Sequence, residues 1–243
     1  VADGMKGELK LGFTMYSAQN VVPALVRRYA EFRPDVRLVL EERIPTDLDD
    51  MLIEGRLDAA VTFGAGSHNV SHGPSGLGRL HGGTLPHLQT VPLARDCLCL
   101  VVPDNHPLAT RDDIGPGDLD GERLIAAPAT VAPVLRAAIT SYCAAGGVKP
   151  LIVLEPRLQH TIIRLVAERL GVALIPQSLC HDLERGPKGH VAGGVVGGVS
   201  GGVSGGVVAR PLTDAPEFDV ILCALAASQN PTVAALMQLA RQT

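Results

Sequence analysis

The chain has 243 residues, 46% of them hydrophobic, which is enough apolar material to build one large or two medium domains with full cores. Its formal net charge is −4 with the 21 lysines and arginines scattered, and aromatics are 3% without a Trp, which excludes a DNA-holding basic stripe, base-stacking platforms and sugar-stacking clefts within these residues. No apolar run reaches membrane-spanning length, VADGMKGELKLGF lacks the basic head and apolar stretch of a signal peptide, and five cysteines without a C-x-x-C pair fit a reducing compartment better than a disulfide framework, so a soluble, cytoplasmic protein is expected.

Glu8 to Phe13 (ELKLGF) predicts a first strand. The following VVPALVRRYAEFRPDV predicts a helix, because Val22, Leu25, Val26, Tyr29 and Phe32 keep three-four spacing while Arg27, Arg28, Glu31 and Arg33 take the other face. Pro23 requires that helix to begin near Asn20 or slightly earlier, with Ser17 the other candidate cap, and Pro34 ends it. Val36 to Glu41 alternates as a strand, Thr46-Asp47-Leu48-Asp49 gives a capping pattern for a helix closed by Gly55, and Leu57 to Phe63 predicts a buried strand. Strand, helix, strand, helix, strand implies a parallel sheet covered by helices, an α/β unit.

The segment GAGSHNVSHGPSGLGRLHGGTLPHLQT has no periodicity and predicts a loop. His68 and His72 have the H-x-x-x-H spacing of a zinc pair, with His81 and His87 behind them, but glycines and Pro74 deny the helix that would aim the rings, so no metal is expected. Val91 to Pro103 resumes as a strand, in which Cys97 and Cys99 read as core or sheet-face thiols. Glu122 to Ala126, Val131 to Ala145, Leu151 to Glu155, His160 to Leu170 and Val172 to Pro176 then repeat the strand and helix alternation, a second α/β unit. Gly171 follows as a helix-ending glycine. Val207 to Leu212 and Val220 to Ala226 predict strands, and Asn230-Pro231 caps a last helix through Leu239.

Between them, HVAGGVVGGVSGGVSGGVVAR repeats Gly-Gly-Val-X. It matches the G-x-S-x-G nucleophile elbow at Ser200 and Ser204, yet an elbow needs a buried strand before it and a long helix after it, whereas the flanks here are more glycine and valine. A low-complexity spacer is the expected reading.

In order and spacing, GELKLGF, VVPALVRRYAEFRPDVRLVLEE, LIEGRLDAAVTF, LCLVVPDNHPLA, LDGERLI and LVAERLGVALIPQS resemble the effector-binding domain of LysR-type transcriptional regulators. The resemblance covers most of the chain from Gly7 to the last helix. It implies an α/β fold of two Rossmann-like subdomains joined by two crossover strands, like type 2 periplasmic binding proteins. Residues 7–92 plus 213–243 would form the first subdomain and 93–212 the second, with the Gly-Val tetrads as an insert at about 190–206. It also implies a small-molecule effector in the cleft between them, a homodimer or homotetramer, and contact with DNA only through a winged helix-turn-helix that precedes GELKLGF in the family.

Such a cleft is lined by strand ends and helix starts, where free N–H groups and the helix dipole favour an anion, so a carboxylate effector is expected. The effector-binding candidates are Thr14, Tyr16 and Ser17 after the first strand, Thr46 at its helix start, Thr62 at a strand end, Thr130 in the APATV turn, and Gln159 with His160 before the LVAERLG helix. A periplasmic solute-binding protein of the same fold is the alternative. An enzyme is not expected: no nucleophile has a placed base, and His160 with Glu155 is the nearest acid-base pair. No cofactor and no membrane contact are expected.

Overall fold

The computed structural model describes residues 7–64, 79–80, 83–84, 88–180 and 206–242. Among them the elements are β1 (Gly7–Phe13), α1 (Met15–Asn20), α2 (Val22–Phe32), β2 (Val36–Glu42), α3 (Pro45–Ile53), β3 (Ala59–Gly64), β4 (Arg79–Leu80), β5 (Gly83–Thr84), β6 (Leu88–Pro103), β7 (Arg123–Ile125), α4 (Pro133–Ala145), β8 (Leu151–Leu154), α5 (Gln159–Ala167), β9 (Ala173–Pro176), β10 (Val207–Pro211), β11 (Glu217–Leu225) and α6 (Pro231–Ala240). The chain divides into two compact units, Val1–Arg95 with Phe218–Thr243, and Asp96–Glu217. It leaves the first unit within β6 and returns at the start of β11. His68, His72, His81, His87, Ser200, Ser204 and the Gly-Val tetrads lie outside the described residues. No helix among the described residues is long and apolar enough to cross a membrane.

In the first unit β1 pairs in parallel with both β2 and β3, and β11 pairs antiparallel with β3. Because β2 and β3 lie on opposite sides of β1, right-handed crossovers put α2 and α3 on opposite faces of the sheet. Leu48, Met51 and Leu52 of α3 join Leu57, Ala60, Leu88, Ile221 and Cys223 in one buried cluster. On the other face Val22, Leu25 and Tyr29 of α2 are buried, and the Tyr29 hydroxyl donates to the Thr232 carbonyl in α6 at 3.0 Å. Asn230 caps α6 as predicted, its Oδ1 accepting from Thr232 N at 3.0 Å, while its Nδ2 donates to Asp58 Oδ1 at 3.0 Å.

In the first unit helix starts differ from the sequence prediction in two places. Thr14, in extended conformation, precedes α1, and its carbonyl accepts from the Ser17 and Ala18 N–H groups at 3.1 Å each, so Ser17 lies inside the helix and is not its cap. Pro23, lacking an N–H, sits in the first turn of α2 and splits what would be one helix at Val21. Likewise α3 begins at Pro45 after Ile44, which puts Thr46 at the second helical position with no cap bond from its side chain. The fixed φ of proline favours the first helical position and displaces the start predicted from the T-D-L-D pattern.

The second unit repeats the arrangement. β7 pairs in parallel with β8 on one side, and on the other Ile125 N donates to Val172 O and Val172 N to Arg123 O, each at 2.8 Å, just before β9. β6 then pairs antiparallel with β9 and with β10. Leu135, Ile139, Tyr142 and Cys143 of α4 are buried, and the Tyr142 hydroxyl reaches the carbonyls of Ile114 at 3.1 Å and Thr213 at 3.0 Å. Burial pushes this phenol up to about 12.

The reading of Cys99 as a thiol is corrected. Cys99 on β6 and Cys180, in the turn that follows β9, form a disulfide across 81 residues, leaving Cys97, Cys143 and Cys223 as free thiols. An odd count guarantees one unpaired thiol but says nothing about a pair that strand register brings together, and Cys99 lies opposite Ile175 in the β6–β9 ladder.

Gly171 is required by packing, since a Cβ there would collide with the Arg123 carbonyl oxygen, a backbone atom that cannot rotate away. Gly171→Ala is expected to lower stability by about 1–3 kcal/mol in urea denaturation, because the β7–β9 ladder must open to admit the methyl.

Candidate functional site

In parallel strands all carboxyl ends point to one edge of the sheet, and ligands gather where the connections leave in opposite directions. In the first unit that point is the end of β1 and β3. The register pairs Phe13 with Val61, so its continuation sets Thr14 beside Thr62, and Thr14 N donates to Val61 O at 3.3 Å. Ser17, one turn into α1, turns its hydroxyl back to the same place. Its Oγ donates to Thr14 O at 2.9 Å, lies 3.4 Å from Val61 O, and is 3.2 Å from Thr14 Oγ1. With the serine proton on the Thr14 carbonyl, the Thr14 hydroxyl donates to Ser17 Oγ.

Thr14, Ser17 and Thr62 are 2%, 2% and 1% exposed, so their hydroxyls must find partners inside the protein or in a ligand. Those of Thr14 and Ser17 do so, whereas Thr62 Oγ1 has none among the described residues. Tyr16 is buried with its ring 5.0 Å from that of Phe63, edge to face, and Phe63 meets Phe218 in the same way at 5.1 Å. Burial raises the Tyr16 phenol well above its ordinary value, so it stays protonated at neutral pH. Thr46, half-buried, follows β2 at this same edge, where Arg43 N donates to Phe13 O at 2.9 Å. The first unit thus brings together Thr14, Ser17 and Thr62, with Tyr16 in the aromatic layer beside them.

The second unit has a corresponding edge at the ends of β7 and β8. Thr130 is exposed in the turn where Val131 N and Ala132 N both donate to Pro128 O, at 2.9 and 3.1 Å. That turn delays α4 to Pro133 instead of the predicted Val131. Gln159 is buried and His160 exposed at the start of α5. Glu155, the acid nearest to His160 in the sequence reading, is engaged elsewhere. Glu155 accepts from Arg136 of α4, whose Nε donates to Ala127 O at 3.1 Å, and the Arg136 side chain is only 15% exposed. Arg136 was not singled out from the sequence. A signal existed, because the first turn of a helix disfavours a cation unless a carboxylate or ligand holds it.

Among the described residues neither edge holds a nucleophile paired with a base; the first offers hydroxyl groups, and the second the Thr130 hydroxyl, the Gln159 amide and the Arg136 guanidinium. The model of the family described as "LysR substrate binding domain" matches residues 2–188. The chain belongs to this family. The LysR-family domain here is 32% identical over 180 residues to the HTH-type transcriptional regulator IlvR of Caulobacter vibrioides, covering 73% of this chain and 54% of IlvR. It is 26% identical over 178 residues to the HTH-type transcriptional regulator AlsR of Bacillus subtilis, covering 73% and 53%. The chain therefore spans about half the length of the curated relatives it matches. Its fold is similar to that of the effector binding domain of QuiR in complex with shikimate, with a TM-score of 0.72 at 20% identity over 98% of this chain and 96% of that one. As a LysR substrate-binding domain it is a ligand-binding regulatory unit and not a catalytic one.

Two substitutions separate a structural hydroxyl from an unpartnered one. Thr62→Val, which replaces the partnerless hydroxyl by a methyl of similar shape, is expected to leave ligand-free stability unchanged or raised. Ser17→Ala, which breaks bonds in a buried network, is expected to cost about 0.5–1.5 kcal/mol, both read from urea midpoints.

Proposed function

We propose that this domain is the effector-sensing part of a LysR-type transcriptional regulator and that its effector is a small metabolite carrying a carboxylate. The observation that carries this reading is the buried Thr62 hydroxyl on β3, which has no partner among the described residues and lies beside Thr14 and the start of α1. A hydroxyl left in that state costs about 1–3 kcal/mol, which a bound acceptor or donor recovers. Shikimate, named for QuiR, is a small hydroxylated carboxylate and supports this class of ligand. DNA contact belongs, on this reading, to residues outside the ones here, since the net charge of −4 is spread without a basic stripe. The same reading carries a cytoplasmic site of action and a homodimer or homotetramer as the working assembly.

A thermal-shift screen of small carboxylates followed by calorimetry tests it. Thr62→Val and Thr130→Val are each expected to weaken binding of the compound found by about 0.5–2 kcal/mol, one hydrogen bond apiece. Ser17→Asp should be worse, because it sets a like charge where the acid group is received. If all three variants bind as the parent does, the strand-end assignment is wrong. In a gel shift at low salt, this chain alone is expected to give no sequence-selective complex; submicromolar selective binding would overturn the division of labour.

A further inference from the structure

Three of the five cysteines gather where β6 meets the turn that follows β9. Cys99 is on the central strand of an antiparallel patch, opposite Ile175 of β9 on one side and Pro211 of β10 on the other. Its bond to Cys180 pins the end of the 3-10 turn Gln177–Leu179 to that strand. Cys97 lies two residues before Cys99 on β6, and so on the same face of the strand, about 7 Å along it. The β6–β9 register, which pairs Leu98 with Pro176, continues with Cys97 opposite Gln177, and Cys97 Sγ donates to Gln177 Oε1 at 2.8 Å. The turn that carries Cys180 therefore also touches Cys97, with Gln177 and Cys180 at the three-residue spacing that stacks side chains in a 3-10 turn.

Exposure separates the three. Cys99 and Cys180 are each 3% exposed, whereas Cys97 is half-buried. A dithiol arriving from solvent meets Cys97 before it meets the buried bond, and access is one of the terms that sets the rate of disulfide exchange. Burial and the neighbouring Asp96 and Glu217 carboxylates raise the Cys97 thiol above its ordinary value. It is held protonated at neutral pH, and because only the thiolate attacks, the bond beside it persists at rest. In the cytoplasmic setting proposed above, where thiol buffers keep cysteines reduced, a disulfide is characteristically transient or redox-sensing. For that setting alone the inference rests on the preceding reading.

We propose that Cys97, Cys99 and Cys180 form a thiol–disulfide exchange site in which Cys97 relays reduction by an external dithiol to the buried bond and so releases the turn after β9 from β6. In the first step the Cys97 thiolate bonds to Cys180 Sγ, and the Cys99 sulfur leaves with the electron pair of the old bond and takes up a proton. In the second, one thiolate of the dithiol attacks the Cys97–Cys180 bond, and its other thiol closes the dithiol into a disulfide of its own. The dithiol loses two electrons and two protons, and the protein gains two thiols. Asp96 Oδ1, which accepts from Ser178 N at 3.2 Å, still holds the start of the turn, so release is confined to its Cys180 end.

The test uses the 243-residue chain purified without reductant, with dithiothreitol as the dithiol and free thiols counted by maleimide labelling in denaturant. Three labelled thiols are expected before reduction and all five after it. Cys97→Ser should slow reduction of the folded chain at least about tenfold while leaving the rate in urea unchanged, where the bond is open to solvent without a relay. A loosened fold would speed reduction, so a slower rate is no sign of damage. In Cys99→Ser, oxidised glutathione should join Cys97 to Cys180, read by peptide mapping. Amide hydrogen exchange at Leu179 and Cys180 should accelerate when the parent is reduced. Five thiols before reduction, equal folded-state rates for the parent and Cys97→Ser, no Cys97–Cys180 peptide, or unchanged exchange at Cys180 would each overturn the proposal. None of these readouts needs an effector, so a failed carboxylate screen counts against the preceding reading and leaves this one standing.

Discussion

A parallel strand cannot return to its neighbour by a tight turn, and the rest of this structure follows from that constraint. β1 with β2 and β3, and β7 with β8 and the chain entering β9, are parallel, so each connection must cross a face of the sheet, and each does so through a helix. Every carboxyl end then lies on one edge of its sheet, and every chain segment leaving that edge is a loop or a helix start. Thr14, Thr62, Thr130 and Gln159 occupy such places because the topology permits nothing else there. Helices on both faces also explain why β3 is buried along its whole length, which leaves Thr62 shielded from water.

Much of this was legible in the sequence wherever a local pattern and its tertiary environment coincide. α2 was readable because Val22, Leu25 and Tyr29 repeat at helical spacing and are the residues buried. The same pattern overextends at Phe32, which is 41% exposed with the Arg33 guanidinium 3.9 Å from its ring centroid. Periodicity continues to the end of a helix, whereas the surface that would bury its last turn depends on the neighbouring strand. Asn230 was readable as a cap because capping is a contact over two residues. The α3 start was misread because Pro45 and Thr46 offer competing local signals, and only the geometry of the preceding loop decides between them.

The candidate sites divide in the same way. Hydroxyl-bearing residues at connections can be picked out from strand and helix boundaries alone, as Thr14, Ser17 and Thr62 were. Arg136 was not, because its place in the first turn of a helix hints at a partner without naming it, and its burial depends on Glu155 just after β8 and on the Ala127 carbonyl. The Cys99–Cys180 bond was hidden for the same reason, since the two residues meet only through the pairing of β6 with β9. Nor does a sequence distinguish a hydroxyl that is satisfied from one that is not. Ser17 spends its proton on a neighbouring carbonyl, and Thr62, close by on β3, has no such outlet.

The first unit is completed only by residues from Phe218 onward, after the whole of Asp96–Glu217 has intervened. On a ribosome this reverses the usual sequence in which an N-terminal domain finishes before the next begins. β1, β2 and β3 emerge early but remain without β11 against β3 and without α6, whose Thr232 carbonyl receives the Tyr29 hydroxyl. The contiguous second unit is free to form first, and the open side of β3 is a strand edge that must wait for its antiparallel partner. A nascent chain of this architecture therefore keeps the β3 edge open to misassociation until β11 and α6 have emerged and packed against it.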